Sequence, residues 1–154
     1  MPELSLKAML EAAIKIEEES YRLYTMAQEK VNYSSSKELL KELAGEELKH
    51  KEKLLILMKN KAKISKLGSP AKSVQDLKIV DLMRDVTLTE DADYQTILVY
   101  AARREKSTHE YYKSLATVFK DTEAAELFSK LAKEELIHKN KIEKEYDEYV
   151  LREN

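Results

Sequence analysis

No cysteine occurs among the 154 residues, which excludes disulfides, thiolate nucleophiles, CxxC redox pairs and any iron centre held by cysteines of this chain. A redox enzyme built from this sequence takes its electrons from elsewhere. Glycine and proline are also scarce, with two of each, so little interrupts the chain and its elements should be long helices. An excess of one charge is missing too: 27 Lys and Arg stand against 29 Asp and Glu, a net charge of −2. The lysines interleave with glutamates along helix faces, and no basic field is left to hold nucleic acid. No apolar run approaches the ~18 residues of a membrane span, and the opening MPELSLKAMLEAA has neither a basic start nor a long apolar core. The expectation is a cytoplasmic protein with neither membrane nor nucleic acid as partner.

What the sequence does contain is a repeat. LAGEELKH at 43–50 returns as LAKEELIH at 131–138. Sliding the chain by about 88 residues lays Glu17 on Glu105, Tyr24 on Tyr112, Glu47 on Glu135 and His50 on His138. A Glu and a His three residues apart stand one above the other on a helix face, so Glu47 with His50, and Glu135 with His138, can each grip one metal ion. The single glutamates Glu17 and Glu105 lie equally far upstream of the two pairs and complete the constellation.

Apolar residues spaced by three and four predict four helices. The first seam runs Leu6, Leu10, Ala13, Glu17, Ser20, Tyr24, Ala27 and Val31, and the second Leu40, Leu43, Glu47, His50, Leu54 and Leu57, ending near Ile64. Ser35 and Glu38 have the spacing of a capping box for the second helix. The third starts near Thr89 to Ala92 and buries Leu98, Ala101, Glu105, Thr108, Tyr112, Leu115 and Phe119. The fourth starts from Asp121 or Thr122 as N-cap and buries Phe128, Leu131, Glu135, His138, Ile142 and Tyr149. Tight turns join one to two and three to four, whereas about 65–90 form a long crossover, with Ser73 and Asp76 placed to cap a short helix toward Met83. The fold expected is all-α: one domain over 1–154, with antiparallel helix pairs at about 4–64 and 91–150. A crossover of that length can run the length of the bundle, which is ferritin-like topology rather than up-down-up-down.

Four glutamates and two histidines thus fall where the seams otherwise carry Leu, Ala, Ile or Phe. An ionised carboxylate in a dry interior costs several kcal/mol, and four together repel one another. Two divalent cations balance four carboxylates and leave both imidazoles neutral to donate lone pairs. A carboxylate-rich set with one His per ion favours iron or manganese, as a like or a mixed pair, over structural zinc. A single E-x-x-H on a Lys/Glu-rich helix reads as a solvated face; two copies on core seams, each with its upstream Glu, read as ligands. Tyr24 and Tyr112, two turns beyond Glu17 and Glu105, either bond a ligand carboxylate or are plain core tyrosines. His109, four residues after Glu105, reads as a helix-interface residue rather than a third His ligand. Gly45 marks either a local bulge beside Glu47 or surface drift.

Through AIKIEEESYRLY, LAGEELKH, AARREKSTHEYY and LAKEELIH the chain resembles the rubrerythrin branch of the ferritin-like superfamily, over all four helices. The resemblance implies a metal set of Glu17, Glu47, His50, Glu105, Glu135 and His138 around two irons, with Tyr24 and Tyr112 just behind the ligands. It also implies reduction of hydrogen peroxide or dioxygen. Two departures stand out. The cysteine-ligated rubredoxin domain that feeds such centres is lacking, so an external, rubredoxin-like electron donor is implied. Thr108 stands where relatives often carry a further Glu.

The leading expectation is therefore a di-iron oxidoreductase acting on peroxide or dioxygen; the same ligands would also serve ferrous iron oxidation and iron handling, and a metal-free helical interaction module is the third reading. The runs Leu54 to Met58 and Ile97 to Ala102 are apolar on more than one helix face and lie toward opposite ends of such a bundle. They suggest a homodimer, the alternative being a monomer whose crossover lies across both.

Overall fold

The three-and-four spacing becomes four helices in the computed structural model, which describes residues 6–60 and 88–154. These are α1 (Leu6–Ala27), α2 (Ser34–Lys59), α3 (Tyr94–Val118) and α4 (Glu123–Glu153), with a short 3-10 turn at Gln28–Lys30 and no strand among the described residues. Every seam residue expected on the four helices is buried except Tyr149, which is half-buried, and Ile64, which lies outside the described residues.

The helix starts follow local chemistry. At α3 the Asp93 carboxylate accepts from the Thr96 backbone N–H at 2.8 Å, so the helix begins slightly later than the Thr89 to Ala92 expected. At α4 the cap is Thr122, whose hydroxyl accepts from the Ala125 N–H at 3.3 Å. Asp121 instead takes the left-handed turn before it, with φ of 67°, a conformation Asp tolerates better than most residues. The capping box at Ser35 and Glu38 does not form. The Tyr33 carbonyl accepts the first helical bond, from Lys37 N–H at 3.1 Å, and α2 starts at Ser34 with no side-chain cap. Ser35 is thereby drawn into the first turn, and its hydroxyl accepts from Arg152 of α4 at 3.2 Å. Gly45 sits within an unbroken α2, so there is no bulge.

Contacts between helices fix their directions. Lys37 Nζ donates to the Gln28 carbonyl at 2.6 Å and Lys51 pairs with Glu18 at 3.3 Å, so α1 and α2 are antiparallel. The Tyr111 hydroxyl donates to the Met9 carbonyl at 2.9 Å and Lys30 Nζ to the Glu90 carbonyl at 2.8 Å, so α3 runs against α1. Lys141 meets Glu42 at 2.9 Å near the middle, and Arg152 meets Ser35 at the end, so α4 runs against α2. Helices α2 and α3 are therefore parallel, and α2 ends at the opposite end of the bundle from the start of α3. This is the ferritin-like order. Most of the expected crossover, and the short helix from Ser73 toward Met83, lie outside the described residues.

Two apolar clusters fill the bundle. One gathers Leu6, Leu10, Leu54, Leu115, Phe119 and Phe128. The other gathers Leu23, Val31, Leu40, Leu43, Leu98 and Ile142. Each such side chain contributes about 1.5–3 kcal/mol by leaving water. The level between the two clusters is where α1, α2, α3 and α4 each turn glutamate or histidine inward. Of the apolar runs singled out in the sequence, Leu54, Leu57, Ile97, Leu98 and Ala101 are buried, while Ile56 is 70% exposed and Val99 39% exposed.

Candidate metal centre

Each helix delivers its polar residues to the same level because the seam places Glu17, Glu47 with His50, Glu105, and Glu135 with His138 near the helix midpoints. All six residues are at most 3% exposed. Donor atoms of Glu17, Glu47, His50 and Glu135 lie within 4.8 Å of one another, and so do those of Glu47, Glu105, Glu135 and His138. Glu47 and Glu135 belong to both sets. Each set could hold one metal ion, and the two shared carboxylates are placed to bridge the pair.

The repeat acts as a rough twofold. Tyr24 of α1 donates its hydroxyl to Glu105 Oε1 of α3, and Tyr112 of α3 donates to Glu17 Oε1 of α1. Each phenol is thus hydrogen-bonded to a glutamate of the opposite half of the repeat. Burial, and then the charge of Glu105 or Glu17, push both phenols well above their usual range, so each keeps its proton and stays a donor.

His50 Nδ1 lies 2.7 Å from Glu135 Oε1, 3.6 Å from Glu17 Oε2 and 3.7 Å from Glu47 Oε1. His138 Nδ1 lies 2.9 Å from Glu47 Oε1, 3.8 Å from Glu135 Oε2 and 3.9 Å from Glu105 Oε1. The 2.9 Å approach lacks hydrogen-bond alignment, since His138 Nδ1 has no hydrogen-bond partner. Unpartnered as well are Glu17 Oε2, both oxygens of Glu47, Glu105 Oε2 and Glu135 Oε2, all buried. Buried polar atoms are normally satisfied. Here six lone-pair atoms of one cluster are orphaned around one locus, as the donor set of a cation would be. Carboxylate oxygens with one imidazole per set suit iron or manganese.

Without a cation the cluster neutralises itself with protons. Burial, then the charges of Glu17 and Glu105, lift Glu47 well above the ordinary carboxylate range; burial, then Glu105 and Glu47, do the same for Glu135. Burial also raises Glu17, but the closeness of His50 and then of Glu47 outweighs it and holds that carboxyl low. Burial disfavours the charged form of His50, yet bonding and charge from Glu17 and then Glu134 keep it above its usual value. Burial lowers His138, and the charge of Glu105 does not restore it.

Two buried or half-buried carboxylates escaped the sequence reading. Glu134 Oε2 lies 2.6 Å from His50 Nε2. Glu145 is 5% exposed and accepts from the Tyr94 hydroxyl at 2.6 Å. Glu145 was legible, standing on the α4 seam between Ile142 and Tyr149. His109 is outside the centre, its Nδ1–H donating to the Ala132 carbonyl at 2.7 Å across the α3–α4 contact. Thr108 is buried one turn after Glu105, with its hydroxyl donating to the Arg104 carbonyl at 2.8 Å. Among the described residues, no helix is long and apolar enough to cross a membrane.

No curated protein and no solved structure gives a match to this chain. The family model described as Rubrerythrin matches residues 8–90 and 96–154, which takes in all six residues of the cluster and both tyrosines behind it. By sequence, and with the helix order and buried carboxylate–histidine cluster that accompany it, the chain belongs to the rubrerythrin family.

Proposed function

We propose that the chain is a di-iron carboxylate oxidoreductase that reduces hydrogen peroxide or dioxygen with electrons from an external donor protein, rubredoxin-like in type. The orphaned lone pairs of Glu17, Glu47, Glu105, Glu135 and His138 at one buried level carry this reading. Glu17 and His50 would hold one ion and Glu105 and His138 the other, with Glu47 and Glu135 common to both sets. Two ferrous ions, when bound, supply the two electrons that take a peroxide to water.

The chain's own residues do the rest. The phenol of Tyr112 occupies Glu17 Oε1 and that of Tyr24 occupies Glu105 Oε1, so each terminal carboxylate has one oxygen left to offer. Both tyrosines keep their protons, and through them hold the carboxylates of Glu105 and Glu17 in place beside the centre. Apolar clusters above and below limit water at that level. A second copy of the chain is part of the same reading, with the exposed Ile56 and Val99 surfaces in the contact. Sedimentation equilibrium at micromolar concentration checks that part, and a single species near the 17.9 kDa of one chain contradicts it.

The function itself is tested by stopped-flow oxidation of the anaerobically reduced, iron-loaded protein. Oxidation accelerated in proportion to peroxide, with iron retained afterwards, is expected. A rate indifferent to both peroxide and dioxygen overturns the proposal. Ferric iron released from the chain after oxidation would instead identify iron handling.

A further inference from the structure

The internal repeat makes the two halves of the centre look interchangeable, but they differ at one contact. Glu134 of α4 reaches across to α2 and places Oε2 2.6 Å from His50 Nε2. The residue that the repeat lays on Glu134 is Glu46, and it does not reciprocate. Glu46 lies along its own helix, 3.5 Å from Lys49 Nζ, and no bond joins it to His138 among the described residues.

An imidazole has two nitrogens and, when neutral, one proton. A carboxylate can only accept, so Glu134 keeps the proton of His50 on Nε2 and turns the lone pair to Nδ1. Nδ1 is the atom facing Glu135, Glu17 and Glu47, at 2.7, 3.6 and 3.7 Å. The ring is locked in rotation as well, because its two nitrogens are engaged on opposite sides by neighbouring residues of one helix. His138 has its Nδ1 similarly near the shared carboxylates, but that atom has no hydrogen-bond partner, and Glu46 acts on the ring through its charge alone. A carboxylate behind a ligating histidine orients the ring and strengthens the nitrogen as a ligand, and its loss typically costs about 10- to 100-fold in metal affinity.

Resting on the two-metal reading above, we propose that Glu134 is a positioning residue for His50 and makes the two halves unequal, so that the ion at Glu17 and His50 binds before, and tighter than, the ion at Glu105 and His138.

The test titrates metal-free protein with Co2+, followed by calorimetry and visible absorption. Wild type should take up two ions in steps separated by about tenfold or more. Glu134→Ala, with Glu134→Leu as a second variant lacking an acceptor, should lose about 10- to 100-fold in the tighter step and bring the two steps together. Glu134→Gln retains an acceptor oxygen and should recover most of the separation, which a merely structural loss would not do. Glu46→Ala should leave the separation in place. Two wild-type steps of equal affinity, an unchanged tighter step in both Glu134→Ala and Glu134→Leu, or an equal loss in Glu46→Ala each overturn this inference while the two-metal reading stands. Wild-type protein that takes up no Co2+ overturns both.

Discussion

The imidazoles of His50 and His138 lie with ring centroids 5.6 Å apart and planes within 10° of parallel. About 88 residues separate them in the chain, and each belongs to its own copy of the same motif. Their environments nevertheless drive them in opposite directions, His50 toward the charged form and His138 away from it. A repeat in sequence has thus become a cluster that is symmetric in its residues and asymmetric in what surrounds them.

Glu47 and Glu135 are the two carboxylates shared by both sets, so either one matters to both ions. Glu47→Gln and Glu135→Gln should each reduce bound metal below two per chain in elemental analysis. Metal-free forms of both variants should melt above metal-free wild type at neutral pH, because a buried, repelled carboxyl has been replaced by a neutral group of the same shape. Two ions retained in both variants would contradict the bridging role.

Acidity should act on the metal-free and loaded proteins differently. The folded values of Glu47 and Glu135 are raised above 4.5, and that of His50 above 6.5. A group raised in the folded state binds its proton more tightly there, so its contribution is full below its unfolded value and is lost as pH rises through the folded one. Glu17 and His138, both held low, act oppositely, Glu17 below the ordinary carboxylate range and His138 below the ordinary imidazole range. Metal-free protein should therefore lose stability as pH rises above the ordinary carboxylate range, where the two raised carboxyls and His50 outweigh the single lowered imidazole. Metal competes with the same protons, so its stabilisation should grow over the same rise in pH. The gap in Tm between loaded and metal-free protein measures this, and a gap that is level or shrinks with rising pH contradicts it.

Tyr112→Phe strips Glu17 Oε1 of its donor, and Tyr24→Phe does the same to Glu105 Oε1. A buried acceptor left unpaired costs about 1–3 kcal/mol. Each variant should lose that much in urea unfolding of the metal-free protein while still binding two ions. Wild-type stability in both would mean that the phenols do not hold the carboxylates.

Gly45→Ala should stabilise the fold. The glycine lies in the middle of α2, and no atom comes within 4 Å of where its Cβ would stand. Alanine in a helix interior is favoured over glycine by about 0.5–1 kcal/mol. Urea unfolding at constant metal content reads the gain, and a loss would show that α2 bends at this point in a way that alanine resists.

The seams were legible because burial imposes the helical period on every inward residue, ligands included. Leu10, Glu17 and Tyr24 obey the same spacing although only two of them are polar, and this is what exposed the cluster. The helix order was legible too, from a crossover too long for a turn. What the period does not carry is partner choice. Glu134 sits one residue, about 100°, round the helix from Glu135, and by spacing alone reads as solvated face. Its partner His50 belongs to the other copy of the repeat and is reached only after the bundle forms. Ser35 failed as a cap for a related reason: the Tyr33 carbonyl starts the helix, and Arg152 claims the hydroxyl.

The central claim is that four glutamates and two histidines hold a pair of irons. Anaerobic loading with ferrous ion, removal of unbound metal, elemental analysis and an absorption spectrum after oxidation test it most directly. Two irons per chain and a near-ultraviolet band of an oxo-bridged ferric pair are expected, both lost in Glu47→Gln and Glu135→Gln. One iron or none in wild type, or a spectrum unchanged by either substitution, would contradict it.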